Sequence, residues 1–151
     1  MESLQERFAP QGRCFGCGPA NPEGLRIRSI PRGDEVVCAW TGQPRYQAFE
    51  GALNGGICGA LLDCHSSWAA IHHLMETRGL AAAPSMVTAD FHVKLRRPTP
   101  VGAIELRARA VETTGDRVVV EATLEAAGVV TASCRGTFVA VREGHPAYGR
   151  W

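Results

Sequence analysis

No stretch of this chain stays apolar for long. Nothing approaches the ~20 consecutive apolar residues that a membrane-spanning helix needs, and the first residues carry no apolar signal region. Charge of one sign is lacking too: 16 Lys and Arg stand against 15 Asp and Glu, for a formal net charge of +1 and an isoelectric point near 7.7. That balance offers no electrostatic footprint for a nucleic acid or an anionic membrane. Repeats and low-complexity tracts are missing. A disulfide framework is not indicated either, because six cysteines without an export signal suit reduced thiols in a cytosol. The expectation is a cytoplasmic protein with no nucleic-acid or membrane partner. What is present, 151 residues of which 45% are hydrophobic and 21% charged, suits one domain with one sizeable core. Residues 1–23 read as an N-terminal segment with a cysteine-rich loop, and residues 143–151 as a tail.

Metal and redox motifs are incomplete. Cys14-Phe15-Gly16-Cys17-Gly18 contains a CxxC pair, which reads as half a zinc site or as a thioredoxin-like redox pair. No second CxxC or HxxxH follows at finger spacing, since His72 and His73 lie in a helical pattern and His145 in the tail. A redox motif opens a helix, whereas Gly18, Pro19, Asn21 and Pro22 follow here at once. The loop is therefore expected to be shaped by glycine and proline around packed thiols, with no metal and no cofactor.

The longest periodic segment begins at Asn54. Ile57, Leu61, Cys64, Trp68, Ile71 and Met75 recur at helical three-and-four spacing, which predicts a helix that buries this stripe. Asn54 is a good N-cap, and Gly79 is placed to end the helix after Arg78. Gly56, Gly59, Asp63, Ser67 and Ala70 share a flank beside the stripe. Glycine inside a helix costs about 1 kcal/mol relative to alanine, so Gly55, Gly56 and Gly59 imply that something approaches the backbone there. Two readings are open. One is tight packing with Asp63 a solvated acid; the other is a pocket where helix-start amides meet developing negative charge and Asp63 waits two turns along. Cys64 falls in the stripe and reads as buried and inert. His65 falls on the side away from Asp63 and reads as structural or exposed.

Short strands surround that helix. Leu25–Ile30 and Glu35–Trp40 read as strands joined by the turn Pro31-Arg32-Gly33-Asp34, and Gln43–Gly51 as a loop. After Pro84 the pattern has period two. Val87, Ala89, Phe91, Val93 and Leu95 oppose Thr88, Asp90, His92, Lys94 and Arg96, while Ile104–Ala110, Val118–Leu124 and Val129–Val141 supply three more runs. One helix among six strands predicts an α+β antiparallel sheet with the helix on its apolar face. The uncovered face or edge predicts a homodimer.

Four segments in this order resemble the hotdog-fold acyl-CoA thioesterases of the phenylacetyl-CoA and 4-hydroxybenzoyl-CoA type. They are Cys14–Gly18 with Asn21–Leu25, Gln47–Ile57 with Leu61–Asp63, Val93–Gly102, and Gly136–Val139. The resemblance implies thioester hydrolysis to free acid and CoA without metal or redox cofactor, in a homodimer or a dimer of dimers whose sites are shared between chains. Asp63 resembles the catalytic carboxylate, as general base or as nucleophile. The amide of Gly55, helped by Gly56, resembles the donor that holds the thioester carbonyl oxygen.

One departure stands out: Asn54 occupies the position where the family usually has histidine. Asn54 caps and donates but transfers no proton near neutral pH. Ser67, on the Asp63 flank, reads either as positioning water or substrate or as packing toward the core. Gln47 is an implied substrate contact, and Arg96 and Arg97, with Lys94 and Arg135, are candidates for the CoA phosphates. For each of these basic residues a solvated surface charge is the simpler explanation. Two other functions remain beside hydrolysis, a non-catalytic acyl-CoA binding module, which Asn54 favours, and a hotdog hydratase or dehydratase, which it disfavours.

Overall fold

The computed structural model describes residues 1–150. Helix α1 (Leu4–Phe8) opens with a capping box in which Ser3 and Glu6 satisfy each other's backbone amides. Next come β1 (Ile30–Arg32) and β2 (Glu35–Gly42), a two-stranded ribbon of β3 (Gln47–Phe49) and β4 (Ala52–Leu53), and the long helix α2 (Gly55–Arg78). β5 (Met86–Leu95), β6 (Gly102–Thr114), β7 (Arg117–Ala126) and β8 (Val129–Ala140) complete the order. Six strands form one antiparallel sheet in the order β1-β2-β6-β7-β8-β5, and α2 lies across its face.

The core sits between them. Leu61, Leu62 and Leu74 of α2 meet Leu106, Val118, Val120, Leu124 and Phe138 of the sheet, all fully buried. Burying each such side chain is worth about 2 kcal/mol, so the α2–sheet layer dominates stability. The alternation on β7 is as expected: Val118, Val120, Ala122 and Leu124 point in. So are both ends of α2. Asn54 Oδ1 accepts from the amides of Gly56 (2.8 Å) and Ile57 (3.3 Å), and Gly79 closes the helix in the left-handed region at φ 64°.

Four features differ from the sequence expectation. Of Leu25–Ile30 only Ile30 is in a strand, because the backbone before it is already engaged. Leu25 and Ile27 donate to Phe15 and Gly16 carbonyls, Ser29 accepts from Leu4, and Arg26 sits at φ 59°. The stretch Gln43–Gly51 is not a plain loop: it holds a 3-10 turn, Pro44–Tyr46, and then β3. α2 is buried on every side from His65 to Ile71, since the segment before β1 packs where solvent was expected. Finally, β5 carries a bulge between Thr88 and Asp90, which breaks the strict alternation read from Val87 to Arg96. Of the tail, Trp151 lies outside the described residues.

Candidate active site

The backbone around Asn54 is fixed before any chemistry begins. Leu53 donates to Thr99 and Asn54 donates to Tyr46, each at 2.8 Å, so β4 and the 3-10 turn hold the start of α2 in place. Asn54 Oδ1 then engages the Gly56 amide, which leaves Gly55 as the helix-start amide with no acceptor among the described residues. Of the two glycines read as donors, Gly55 alone keeps a free helix-start amide among the described residues. A β-carbon on Gly55 would stand 2.8 Å from Leu95, whereas one on Gly59 would meet nothing within 4 Å among the described residues. Close approach is real at the helix start and absent at Gly59, where the flank is open.

Asp63 lines a cavity of about 220 Å³ with Ser67, Trp68, Met86, Val87 and Thr88, and with Cys14, Cys17 and Cys64 at one end. Thr88 Oγ1 donates to Asp63 Oδ1 at 2.7 Å. That contact depends on the bulge, which turns Thr88 toward α2 although the alternation placed it with His92 and Lys94. Burial pushes the Asp63 carboxyl above its ordinary value, the Thr88 hydrogen bond opposes the rise, and the charge of a Cys14 thiolate adds to it. A half-satisfied carboxylate facing a cavity is equipped to take a proton from water or to attack an electrophile. Ser67 stands in the same wall, one helical turn on.

His65 belongs elsewhere. It is wholly buried, its Nε2–H donates to the Val36 carbonyl, and its Nδ1 accepts from the Ser29 hydroxyl, both at 2.9 Å. Gln5 Nε2 donates in turn to Ser29 Oγ, which makes a closed chain of donors and acceptors linking α1, α2 and β2. Burial holds the imidazole neutral, with a pKa lowered to about 4. The structural reading of His65 is the one the fold adopts.

The basic candidates are not beside Asp63. Lys94, Arg96 and Arg135 line a groove of about 720 Å³ on the opposite face of the sheet. Arg135 pairs there with Glu121, and Arg96 donates to Ser133 at 3.1 Å. Arg97 is exposed outside that groove, and Gln47 on β3 accepts from the Gly51 amide at 3.2 Å. Sequence reasoning missed Thr88, and missed that Cys64 meets the cysteine loop rather than packing inertly in the stripe: its sulfur lies 3.8 Å from that of Cys14. Nothing in local spacing signals either contact.

An antiparallel six-stranded sheet laid over one long helix, with an acid two turns into that helix, defines a hotdog fold of the thioesterase kind. The chain belongs to the Thioesterase superfamily, whose profile matches residues 50–140. A thioesterase superfamily protein from Shewanella loihica is 27% identical, with a TM-score of 0.65 over 82% of this chain and 98% of that one. A putative thioesterase related to phenylacetic acid degradation, from Ralstonia eutropha, is 20% identical with a TM-score of 0.69, covering 89% of this chain and 99% of that one. The PaaI protein of the E. coli phenylacetic acid degradation operon is 16% identical with a TM-score of 0.66, over 78% and 81% of the two chains. The last two share the fold. No curated protein matches the sequence. Among the described residues no helix is long and apolar enough to cross a membrane.

Proposed function

We propose that the protein is an acyl-CoA thioesterase whose sites are each built from two copies of the chain. The observation that carries this reading is Asp63, a carboxylate half-buried in a cavity with one fixed hydrogen bond and room beside it. Asp63 takes a proton from water as the water attacks the thioester carbonyl, or attacks the carbonyl itself. In the first route the carbon–sulfur bond of the adduct breaks and the CoA thiolate leaves with the proton that Asp63 took from water. In the second the bond breaks to leave a mixed anhydride on Asp63, which a water then hydrolyses to free acid and carboxylate, its proton passing to the CoA thiolate. The oxygen that becomes negative needs a donor, and Gly55 offers an unengaged amide.

Distance makes the second copy necessary. Eight residues of helix separate Gly55 from Asp63, about 12 Å along the axis, whereas a reacting carbonyl must lie about 3 Å from both acid and donor. One chain does not bring them together; a twofold-related α2 running the other way does. The free edge supports that arrangement. β5 ends the sheet with Phe91 and Leu95 exposed, and the flank of α2 at Gly59 is open.

Incubation with a panel of acyl-CoAs and a thiol reagent tests the reading, with the six free cysteines of the protein set as the baseline. Release of CoA that disappears in Asp63→Asn supports hydrolysis. Tight binding of acyl-CoA without release makes the protein a binding module, the role that Asn54 favours. Light scattering should give twice 16.2 kDa or a higher even multiple, and an active monomer sinks the shared site.

A further inference from the structure

Three of the six cysteines meet at one point. Cys14 and Cys17 come from the N-terminal loop and Cys64 from the middle of α2, and their sulfurs all lie within 4.8 Å of one another. Cys14 Sγ and Cys64 Sγ are 3.8 Å apart, and the indole Nε1–H of Trp68 donates to Cys17 Sγ at 3.3 Å. The loop is shaped for this meeting. A β-carbon on Gly16 would stand 2.3 Å from Cys64 Sγ, and one on Gly18 would stand 2.4 Å from the Cys14 amide nitrogen. Any side chain at Gly16 would drive the loop off the helix.

Thiols are weak donors and weak acceptors, so three of them in mutual contact satisfy one another poorly. A cation suits them better. Zinc binds thiolates at about 2.3 Å, which spaces the sulfurs of a tetrahedral site about 3.8 Å apart. The Cys14–Cys64 separation already has that value. The indole N–H of Trp68 aimed at Cys17 is the kind of outer hydrogen bond that a ligating sulfur requires. We propose that Cys14, Cys17 and Cys64 form a site for a thiophilic divalent cation of the zinc type, with three protein thiolates and a fourth position open to the cavity that Asp63 also lines. The ion staples the N-terminal loop to α2 one residue from Asp63. This site does not depend on the thioesterase reading. It runs against the expectation of no metal, which rested on ligand spacing along the chain and did not count Cys64 on α2.

The test uses the full-length protein, reduced, stripped with chelator and returned to buffer. Zn²⁺ is titrated against a chromophoric competitor, and Co²⁺ is the spectroscopic probe. One Zn²⁺ per chain is expected, with a Co²⁺ complex showing tetrahedral d–d bands and thiolate-to-cobalt charge transfer, and a melting temperature raised by Zn²⁺. Trp68→Phe keeps the three ligands and removes an outer hydrogen bond, so it should weaken Zn²⁺ binding about tenfold. Cys64→Ser should weaken it further still, and Cys38→Ala, outside the cluster, should leave it unchanged. Less than a tenth of an equivalent bound by the wild-type chain overturns the proposal even if every variant misfolds. So does an octahedral cobalt spectrum, or a Cys64→Ser protein that holds Zn²⁺ as tightly as the wild type.

Discussion

Asp63 and His65 sit two residues apart on α2, and the fold treats them in opposite ways. Both nitrogens of His65 are engaged, no water reaches the ring, and its chain of partners runs through Ser29 to Gln5 without a gap. Among the described residues Asp63 has one hydrogen-bond partner, Thr88, and it faces a cavity. A fully satisfied buried polar group holds elements in register. A half-satisfied one retains the capacity to react, which is why perturbed acids in clefts mark active sites. Burial moves the two in directions that follow from their charges, lowering the pKa of the histidine and raising that of the acid.

The comparison breaks most sharply at Asp63. Asp63→Asn keeps the shape and the Thr88 hydrogen bond but abolishes the basicity, so turnover should fall by roughly a hundredfold or more while acyl-CoA binding changes little. Stability at pH 7 should hold or rise, because a buried ionised group has been replaced by a neutral one. Turnover within tenfold of the wild type would remove Asp63 from the chemistry, and His65, closed off as it is, would not inherit the role.

At His65 the effect should appear in stability, not rate. His65→Ala strands the Ser29 hydroxyl and the Val36 carbonyl, for a loss of about 2–4 kcal/mol in denaturant unfolding with kcat nearly unchanged below the transition. The pH dependence separates the two residues further. The folded pKa of His65 is about 4, below the unfolded value of about 6.5. As pH falls from 6.5 toward 4 the unfolded chain takes up the proton first, and the stability the neutral ring contributes drains away, by on the order of 3 kcal/mol in all. Asp63 works the other way: its raised pKa adds stability at low pH that is lost as pH rises through the folded value. Wild type should therefore lose more stability than His65→Ala between pH 6.5 and 5. Parallel acid limbs for the two proteins would show that His65 is not held neutral.

Thr88→Val tests whether the bulge of β5 serves the site. The change conserves shape and deletes the donor to Asp63, so kcat should drop about tenfold with KM little altered, the loss expected for one hydrogen bond to a charged group. A change in KM alone would make Thr88 a substrate contact instead of a residue that positions the acid.

The fold was legible because its signals are local. Asn54, Gly79 and the alternation of Val118 to Leu124 each specify structure within a few residues, and each is found where it was read. The position of Asp63 was legible from helix spacing together with the resemblance. Thr88 was not, because one inserted residue at the bulge reverses which face a side chain takes, and no turn residue marks it. Nor was the meeting of Cys64 with Cys14, which depends on a loop crossing α2 far along the chain. For the same reason Leu25–Ser29 looked like a strand: its hydrogen bonds go to the cysteine loop and to α1, and neither is adjacent in sequence. Contacts distant in the chain are where pattern stops and packing decides.

The smallest expected effect is at Asn54. Its side-chain oxygen satisfies the amides of Gly56 and Ile57, and its own amide group is left to donate. Histidine caps less well, so Asn54→His should cost about 1 kcal/mol in stability. It also releases the Gly56 amide, which can then join Gly55 in holding a developing oxyanion, and a neutral ring still offers one donor. These changes oppose each other, and turnover of the best acyl-CoA should stay within about tenfold of the wild type. A gain well beyond tenfold would mean that the helix start lacks a proton-transferring or donating group that histidine supplies, which turns the natural chain toward binding. A loss well beyond tenfold would assign the Asn54 amide itself to the thioester, a closer role than capping, and would place it beside Asp63 among the residues that act on substrate.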